Sequence, residues 1–267
     1  MNKVALITGA ANGIGLEFSK IVAAKGYDLV LIDINEDGLV SLSEAIQDDF
    51  KVNTHYKVED LSNPSAASSI KSYLDQNSIK ISLLFNNAGF GNFGYFNETD
   101  LAKDQAMLNV HVVTSTNLTK MLLPDMIDQG FGRILNNASV AAFVPGPLMS
   151  TYHASKAYLL YFSVALADEL RGTGVTVTTL CPGMTKTGFA KANGNDDPDI
   201  KMNIASPFDV AMYGYGMMEK GKPIAVPGFV NKLSAFIPRL LPRKIVAKMV
   251  GNIQRKNHTK RMASNKA

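Results

Sequence analysis

The chain has a single cysteine among 267 residues, so no disulfide can close within it, and a reducing compartment, the cytoplasm, is the expected setting. Cys181 ends an apolar run just before Pro182 and reads as a packed small hydrophobe, not a nucleophile. No run of about eighteen apolar residues occurs, which excludes a membrane-spanning helix. His55, His111 and His258 lack cysteine or carboxylate neighbours at metal-ligand spacing, so no metal site is expected, and structural roles are assigned to them. Internal repeats, low-complexity tracts and linkers are missing too, which favours one large domain. The short apolar run after Lys3 is not read as a secretory leader, because cleavage there would remove the glycine-rich segment behind it.

Acid is missing from one end. Residues 231–267 hold ten of the 27 basic residues and none of the 23 acidic ones, so the first 230 residues are net acidic. Between Pro242 and Arg255, Ile245, Met249 and Ile253 form one row, with Val246 and Val250 beside it and Lys244, Lys248 and Arg255 as cations. This pattern predicts a basic amphipathic helix whose apolar stripe, Ile245, Val246, Met249, Val250 and Ile253, is buried against its own domain or a sister subunit. Peripheral contact with an anionic membrane is the alternative. Nucleic acid is disfavoured, since aromatic residues are sparse there and no binding motif accompanies them.

What is present begins with Val4-Ala5-Leu6-Ile7, which leads into Thr8-Gly9-Ala10-Ala11-Asn12-Gly13-Ile14-Gly15 and then a helical pattern through Phe18, Ile21 and Val22. Strand, glycine-rich turn and helix in this order allow a close approach of backbone to a pyrophosphate, with the N–H groups of the helix start facing it. A plain βα turn would use the same glycines. A second apolar run over residues 28–34 carries Asp33, eighteen positions after Gly15, near the distance at which a carboxylate meets an adenosine ribose. Asp33 would accept bonds from the ribose hydroxyls and repel a 2′-phosphate. Neither residues 8–18 nor residues 28–50 contain a lysine or arginine, so the expected cofactor is NAD rather than NADP. A solvated aspartate at a strand end is the plainer alternative.

Tyr152 and Lys156 lie four apart on a helix expected to begin near Ser150, hence on one face. A phenol is a poor base at neutral pH, and an ammonium beside it would stabilise the phenolate and bring its pKa toward the working range. His153 should point about 100° away, as a substrate-side or packing residue.

Together these motifs resemble the short-chain dehydrogenase/reductase family in its classical form, over about residues 1–230. By that resemblance Asp60 and Leu61 would contact adenine, and Asn87, Ala88 and Gly89, following Asn86, would shape the sheet and line the cofactor cleft. Asn109 would complete the catalytic tetrad with Ser139, Tyr152 and Lys156. Ala138 departs from the serine pair of many relatives, but the second position, Ser139, is kept. Pro182, Gly183, Thr185 and Thr187 would abut the nicotinamide, while Gly9, Asn12, Gly13, Ile14, Gly15 and Asp33 would hold the rest of the cofactor. The implied roles are proton transfer by Tyr152, a lowered tyrosine pKa and ribose binding by Lys156, a hydrogen bond to the reacting oxygen from Ser139, and a water held by Asn109. The implied activity is NAD(P)-dependent hydride transfer to or from a hydrophobic secondary alcohol or ketone. A non-catalytic dinucleotide sensor or scaffold is the alternative.

The implied fold is a Rossmann-type doubly wound parallel sheet of about seven strands with helices on both faces. Apolar runs without alternation, near residues 3–8, 28–33, 51–58, 81–86, 132–138, 174–181 and 222–226, fit a sheet covered on both sides. Residues 1–230 are expected to form the domain, with a substrate lid at 188–207, and residues 231–267 a packed basic extension. Val140, Phe143, Val144, Pro145, Met149, Met184 and Phe189 are the candidate substrate lining. A homodimer or homotetramer is expected.

Overall fold

The computed structural model describes residues 3–188 and 204–264, the last four of these as backbone alone. Phe189 and most of the expected lid lie outside the described residues. Seven parallel strands form one sheet: β1 (Val4–Thr8), β2 (Asp28–Asp33), β3 (Thr54–Val58), β4 (Leu83–Asn86), β5 (Gly132–Asn137), β6 (Val175–Leu180) and β7 (Ile224–Ala225). Their spatial order is β3-β2-β1-β4-β5-β6-β7, so the order reverses between β1 and β4. That reversal opens a crevice at the carboxyl ends of the two strands, where ligands of doubly wound sheets bind.

The central strands read as continuous apolar runs because both faces are covered. Helices α1 (Gly13–Ala23), α2 (Glu36–Phe50) and α7 (Pro207–Glu219) pack one core, in which the Phe18 and Phe85 rings lie 4.3 Å apart. On the other face, α3 (Ala66–Gln76), α5 (Ser115–Asp128) and α6 (Ser150–Glu169) cover Leu6, Val30, Leu84 and Ile134. Strand β3 starts at Thr54 instead of the expected Lys51. Helix α2 runs on to Phe50, and Lys51 caps it in the left-handed conformation with its N–H on the Gln47 carbonyl. The chain can extend into a strand only after that turn.

Helix α4 (Leu101–Leu108) runs into a π-helical turn (Asn109–Thr114) and then α5. A π turn holds an extra residue per turn and so rotates the side chains around the axis relative to a regular helix. Helices α8 (Phe229–Phe236) and α9 (Arg243–Ser264) end the chain, joined by a 3-10 turn (Ile237–Leu240). The expected buried stripe is corrected in part: Ile245, Met249 and Ile253 are exposed, while Val246 is buried as expected, Val250 is half-buried and Gly251 is buried as well.

Candidate active site

The glycine-rich turn after β1 is shaped by steric need. Gly9 and Gly13 have φ of +65° and +56°, values that favour glycine. A Cβ on Gly15 would lie 2.1 Å from the Gly9 carbonyl oxygen, so α1 can close on the turn only without a side chain there. Asn12 caps α1 in extended conformation without a side-chain bond, and the first turn contains no acidic residue. The N–H groups at the start of α1 and the positive end of the helix dipole therefore fit an anion such as a pyrophosphate. Thr187 closes over the turn, since a Cβ on Gly13 would meet its Cγ2 at 2.8 Å.

Asn87 locks this turn to the sheet. Its side-chain amide donates to the Thr8 and Gly9 carbonyls at 3.0 and 3.1 Å, while Thr8 Oγ1 accepts from the backbone N–H of Asn87 and of Ala88. Asp33, at the end of β2, accepts from Ala11 N at 3.0 Å and Asn35 N at 3.1 Å. Its carboxylate stands beside the turn with lone pairs left for a diol. Asp60 accepts from Ser62 N, and the Leu61 carbonyl accepts from Thr114 Oγ1. Pro182 and Gly183 follow Cys181, whose thiol is pushed up to about 12 by burial, as befits a packing residue. Among the described residues no cluster of metal-ligating side chains occurs.

A buried polar ladder sets the position of α6. Asn86 donates to Asn136 Oδ1 at 2.8 Å, and Asn136 donates to Ser163 Oγ at 2.8 Å, tying β4, β5 and α6 together. At the start of α6, Tyr152 and Lys156 are both buried. The Lys156 ammonium lies 5.8 Å from the Tyr152 ring centre and donates to the Asn137 carbonyl at 2.7 Å. Ser139 caps the short turn Val140–Phe143, accepting from Ala141 N at 3.1 Å, and hydrogen-bonds the Tyr152 phenol.

The electrostatics differ from the expectation. Burial pushes the Tyr152 phenol up to about 12, with the Ser139 hydrogen bond pulling in the lowering direction, and burial brings Lys156 down to about 7. Within the protein itself desolvation outweighs the ammonium–phenolate attraction, because neither charge has water to support it.

Asn109 opens the π turn and its side-chain amide donates to the Ser62 carbonyl at 2.9 Å, just after Asp60 and Leu61. The residue of that turn that reaches the tyrosine is His111. Its ring lies 5.9 Å from the Tyr152 ring, its Nδ1 is 2.9 Å from Ser155 Oγ, and its Nε2 accepts from Phe90 N at 3.3 Å. Ser155 donates its own proton to the Tyr152 carbonyl. Nδ1 must therefore carry the imidazole proton, which fixes the neutral tautomer. Burial and the Lys156 charge hold its pKa well below the usual histidine range. Gly89 is required beside it, because a Cβ there would meet Nε2 at 2.5 Å. His111 was missed because residue type and spacing do not announce a π turn.

His153 donates from Nδ1 to the Val144 carbonyl at 2.9 Å and packs on Gly146, so it is a packing residue. Of the expected lining, Met149 does flank Tyr152, together with Phe93, Met107 and Leu148. Val140 and Phe143 instead pack against Ala142, Leu159 and Cys181. Leu148, at φ +66°, holds a conformation unusual for a branched side chain, and its carbonyl accepts from Gly94 N.

A family profile for short chain dehydrogenase matches residues 3–198. The chain belongs to that family. It is 30% identical over 267 residues to a very-long-chain 3-oxoacyl-CoA reductase of Bos taurus, covering 98% of this chain and 83% of the relative. Among solved structures, a short-chain dehydrogenase from Sphingobium yanoikuyae in complex with NADPH superposes with a TM-score of 0.80 at 26% identity, covering 85% of this chain and 88% of the other. One from Burkholderia phymatum in complex with NAD gives 0.78 at 25% identity, covering 88% and 92%. The protein is thus an oxidoreductase of this family with a nicotinamide cofactor, and its neighbours include users of both NADPH and NAD.

Proposed function

We propose that the protein interconverts a lipophilic carbonyl compound and its secondary alcohol, with a 3-oxoacyl thioester as the first substrate to test. The convergence of Tyr152 and Ser139 on one point beside an apolar wall of Phe93, Leu148 and Met149 carries this reading. The name of the bovine relative supports the acyl choice. A bound nicotinamide cofactor supplies or accepts the hydride. The glycine-rich turn, Asp33, the Asn87–Gly89 segment and Thr187 would hold it. In the reductive direction Tyr152 gives its phenolic proton to the carbonyl oxygen, and Ser139 donates a hydrogen bond to the same oxygen as charge develops there. Lys156, anchored on the Asn137 carbonyl, supplies the positive field that lets the phenol release its proton. His111 ties the cofactor segment at Phe90 to Ser155 and so keeps the tyrosine in register.

Turnover of 3-oxoacyl thioesters of increasing chain length, with either cofactor, tests the assignment. Tyr152→Phe should retain cofactor binding and lower kcat by at least about a hundredfold. No turnover with any carbonyl or alcohol would favour a dinucleotide sensor instead.

NAD is the proposed cofactor, on the strength of Asp33 and the cation-free residues 28–50. Asp33→Ala combined with Ile34→Arg, the latter at an exposed position, should move preference toward NADP by removing a carboxylate and adding a phosphate partner. Tighter binding of NADP than NAD by the unaltered protein would overturn this choice. Self-association is proposed through the exposed apolar residues of α4, the π turn and α6, namely Leu101, Leu108, Val113, Tyr161 and Val164. A cytoplasmic setting goes with this reading.

A further inference from the structure

The last two helices and the turn between them leave a dense series of apolar side chains exposed. Along α8 and the 3-10 turn, Phe229, Leu233, Phe236 and Leu240 recur at helical spacing and stay exposed, Phe229 at 81% and Leu240 at 71%. Ile245, Met249 and Ile253 continue on α9 at 48%, 54% and 63%. A series of this size on a folded surface marks an interaction site. Cations accompany it, with Lys232, Arg239, Arg243, Lys244 and Lys248 all exposed. The ion pairs Lys20–Glu17, Lys57–Glu59, Lys71–Asp75 and Arg171–Asp168 do not engage these cations. No acidic residue follows Glu219.

The same helices border the catalytic cleft. A Cβ on Gly251 would lie 3.1 Å from Pro147 Cγ, and the His258 ring sits 5.9 Å from Phe93 and 5.3 Å from Tyr95. Phe93 shares its apolar cluster with Tyr152. Arg239 lies 6.0 Å over the Phe143 ring, and a Cβ on Gly183 would meet the Asn231 side chain.

We propose that α8, the 3-10 turn and α9 form a docking face for an anionic lipid bilayer, which sets the rim of the cleft against the membrane surface. Apolar side chains at the level of the acyl boundary, with unpaired lysines and arginines among the headgroups, are what such a face requires. No helix among the described residues is long and apolar enough to cross a membrane, so the contact lies in the interface. A second copy docked on the same face would bring two acid-free surfaces together, and like charges oppose that. Nucleic acid would satisfy the cations and leave the apolar rows in water.

The test uses the full chain and phosphatidylcholine vesicles with or without about a third phosphatidylserine, an arbitrary fraction chosen to give a strong surface charge. Co-sedimentation is expected with the anionic vesicles at low salt, falling more than about tenfold at about 0.5 M salt. The triple variant Arg243→Gln, Lys244→Gln, Lys248→Gln should weaken partition on the order of a hundredfold, from about 1 kcal/mol per cation. Phe229→Ser with Phe236→Ser should weaken it further while circular dichroism and subunit mass stay unchanged. Failure to bind anionic vesicles at low salt, or binding that the triple variant leaves intact, would overturn the proposal. So would a drop in subunit mass in the Phe229→Ser, Phe236→Ser variant, which would make the face a protein interface. Since sedimentation does not depend on turnover, the result stands apart from the substrate assignment.

Discussion

Helices α6 and α9 are of similar length and both border the cleft, yet they are built by opposite rules. In α6 polar residues go inside: Tyr152, His153, Ser155, Lys156 and Ser163 are all buried. In α9 apolar residues stay outside, with Ile245, Met249 and Ile253 exposed and Val246 buried among them. The polar burial is affordable because each of the buried side chains is bonded: His153 to Val144, Ser155 to Tyr152 and His111, Lys156 to Asn137, Ser163 to Leu159 and Asn136. The apolar exposure has no such compensation among the described residues. A helix that hides its polar groups has its partners inside the fold, and the apolar groups that α9 displays are what the proposed bilayer contact would cover.

The strongest way to break this comparison is to remove a partner from the buried side. His111→Phe would leave Phe90 N–H without its acceptor and crowd Gly89. It should cost roughly 2–4 kcal/mol in urea unfolding, from an unmet buried bond together with overpacking. His111→Gln, which can both accept and donate, should recover part of the stability and more of kcat than the phenylalanine does. Equal losses in the two variants would mean that the histidine acts only as bulk.

A smaller effect separates burial from charge. Lys156 is lowered from 10.5 to about 7, so between those values the unfolded chain binds more protons than the folded one and stability rises with pH. Cys181 and Tyr152, raised from 9.0 and 10.0 to about 12, act oppositely, since above about pH 9 the unfolded chain releases their protons first. Stability should therefore climb from pH 7 to about pH 9 and then fall. Lys156→Met should flatten the climb by on the order of 2 kcal/mol. Denaturation at pH 7, 8 and 9 measures it, and an unchanged slope in the variant would remove Lys156 as its source.

The smallest effects sharpen the other side. Val246→Ala, at a 5% exposed position, should cost about 1–2 kcal/mol, whereas Ile245→Ala next to it should stay within about 0.5 kcal/mol. Thermal unfolding of both variants without lipid would show it, and equal losses would restore the buried row expected from periodicity.

Much of the fold and of the site was legible because it depends on local rules. Glycines at 9, 13 and 15 are demanded by backbone angles and close approach, a two-sided sheet leaves apolar runs without alternation, and helical spacing alone puts Tyr152 and Lys156 on one face. The rest depends on neighbours distant in sequence. That His111 meets the tyrosine turns on a π turn that rotates its side chain, and spacing counts assume a regular helix. The tyrosine and lysine pKa values follow from how completely the surrounding elements exclude water, which no short motif encodes. Periodicity along α9 announced an apolar stripe beside a basic one. Which of its rows met the protein was decided only when Gly251 packed on Pro147 and His258 settled against Phe93 and Tyr95, turning Val246 inward and leaving Ile245, Met249 and Ile253 to face out.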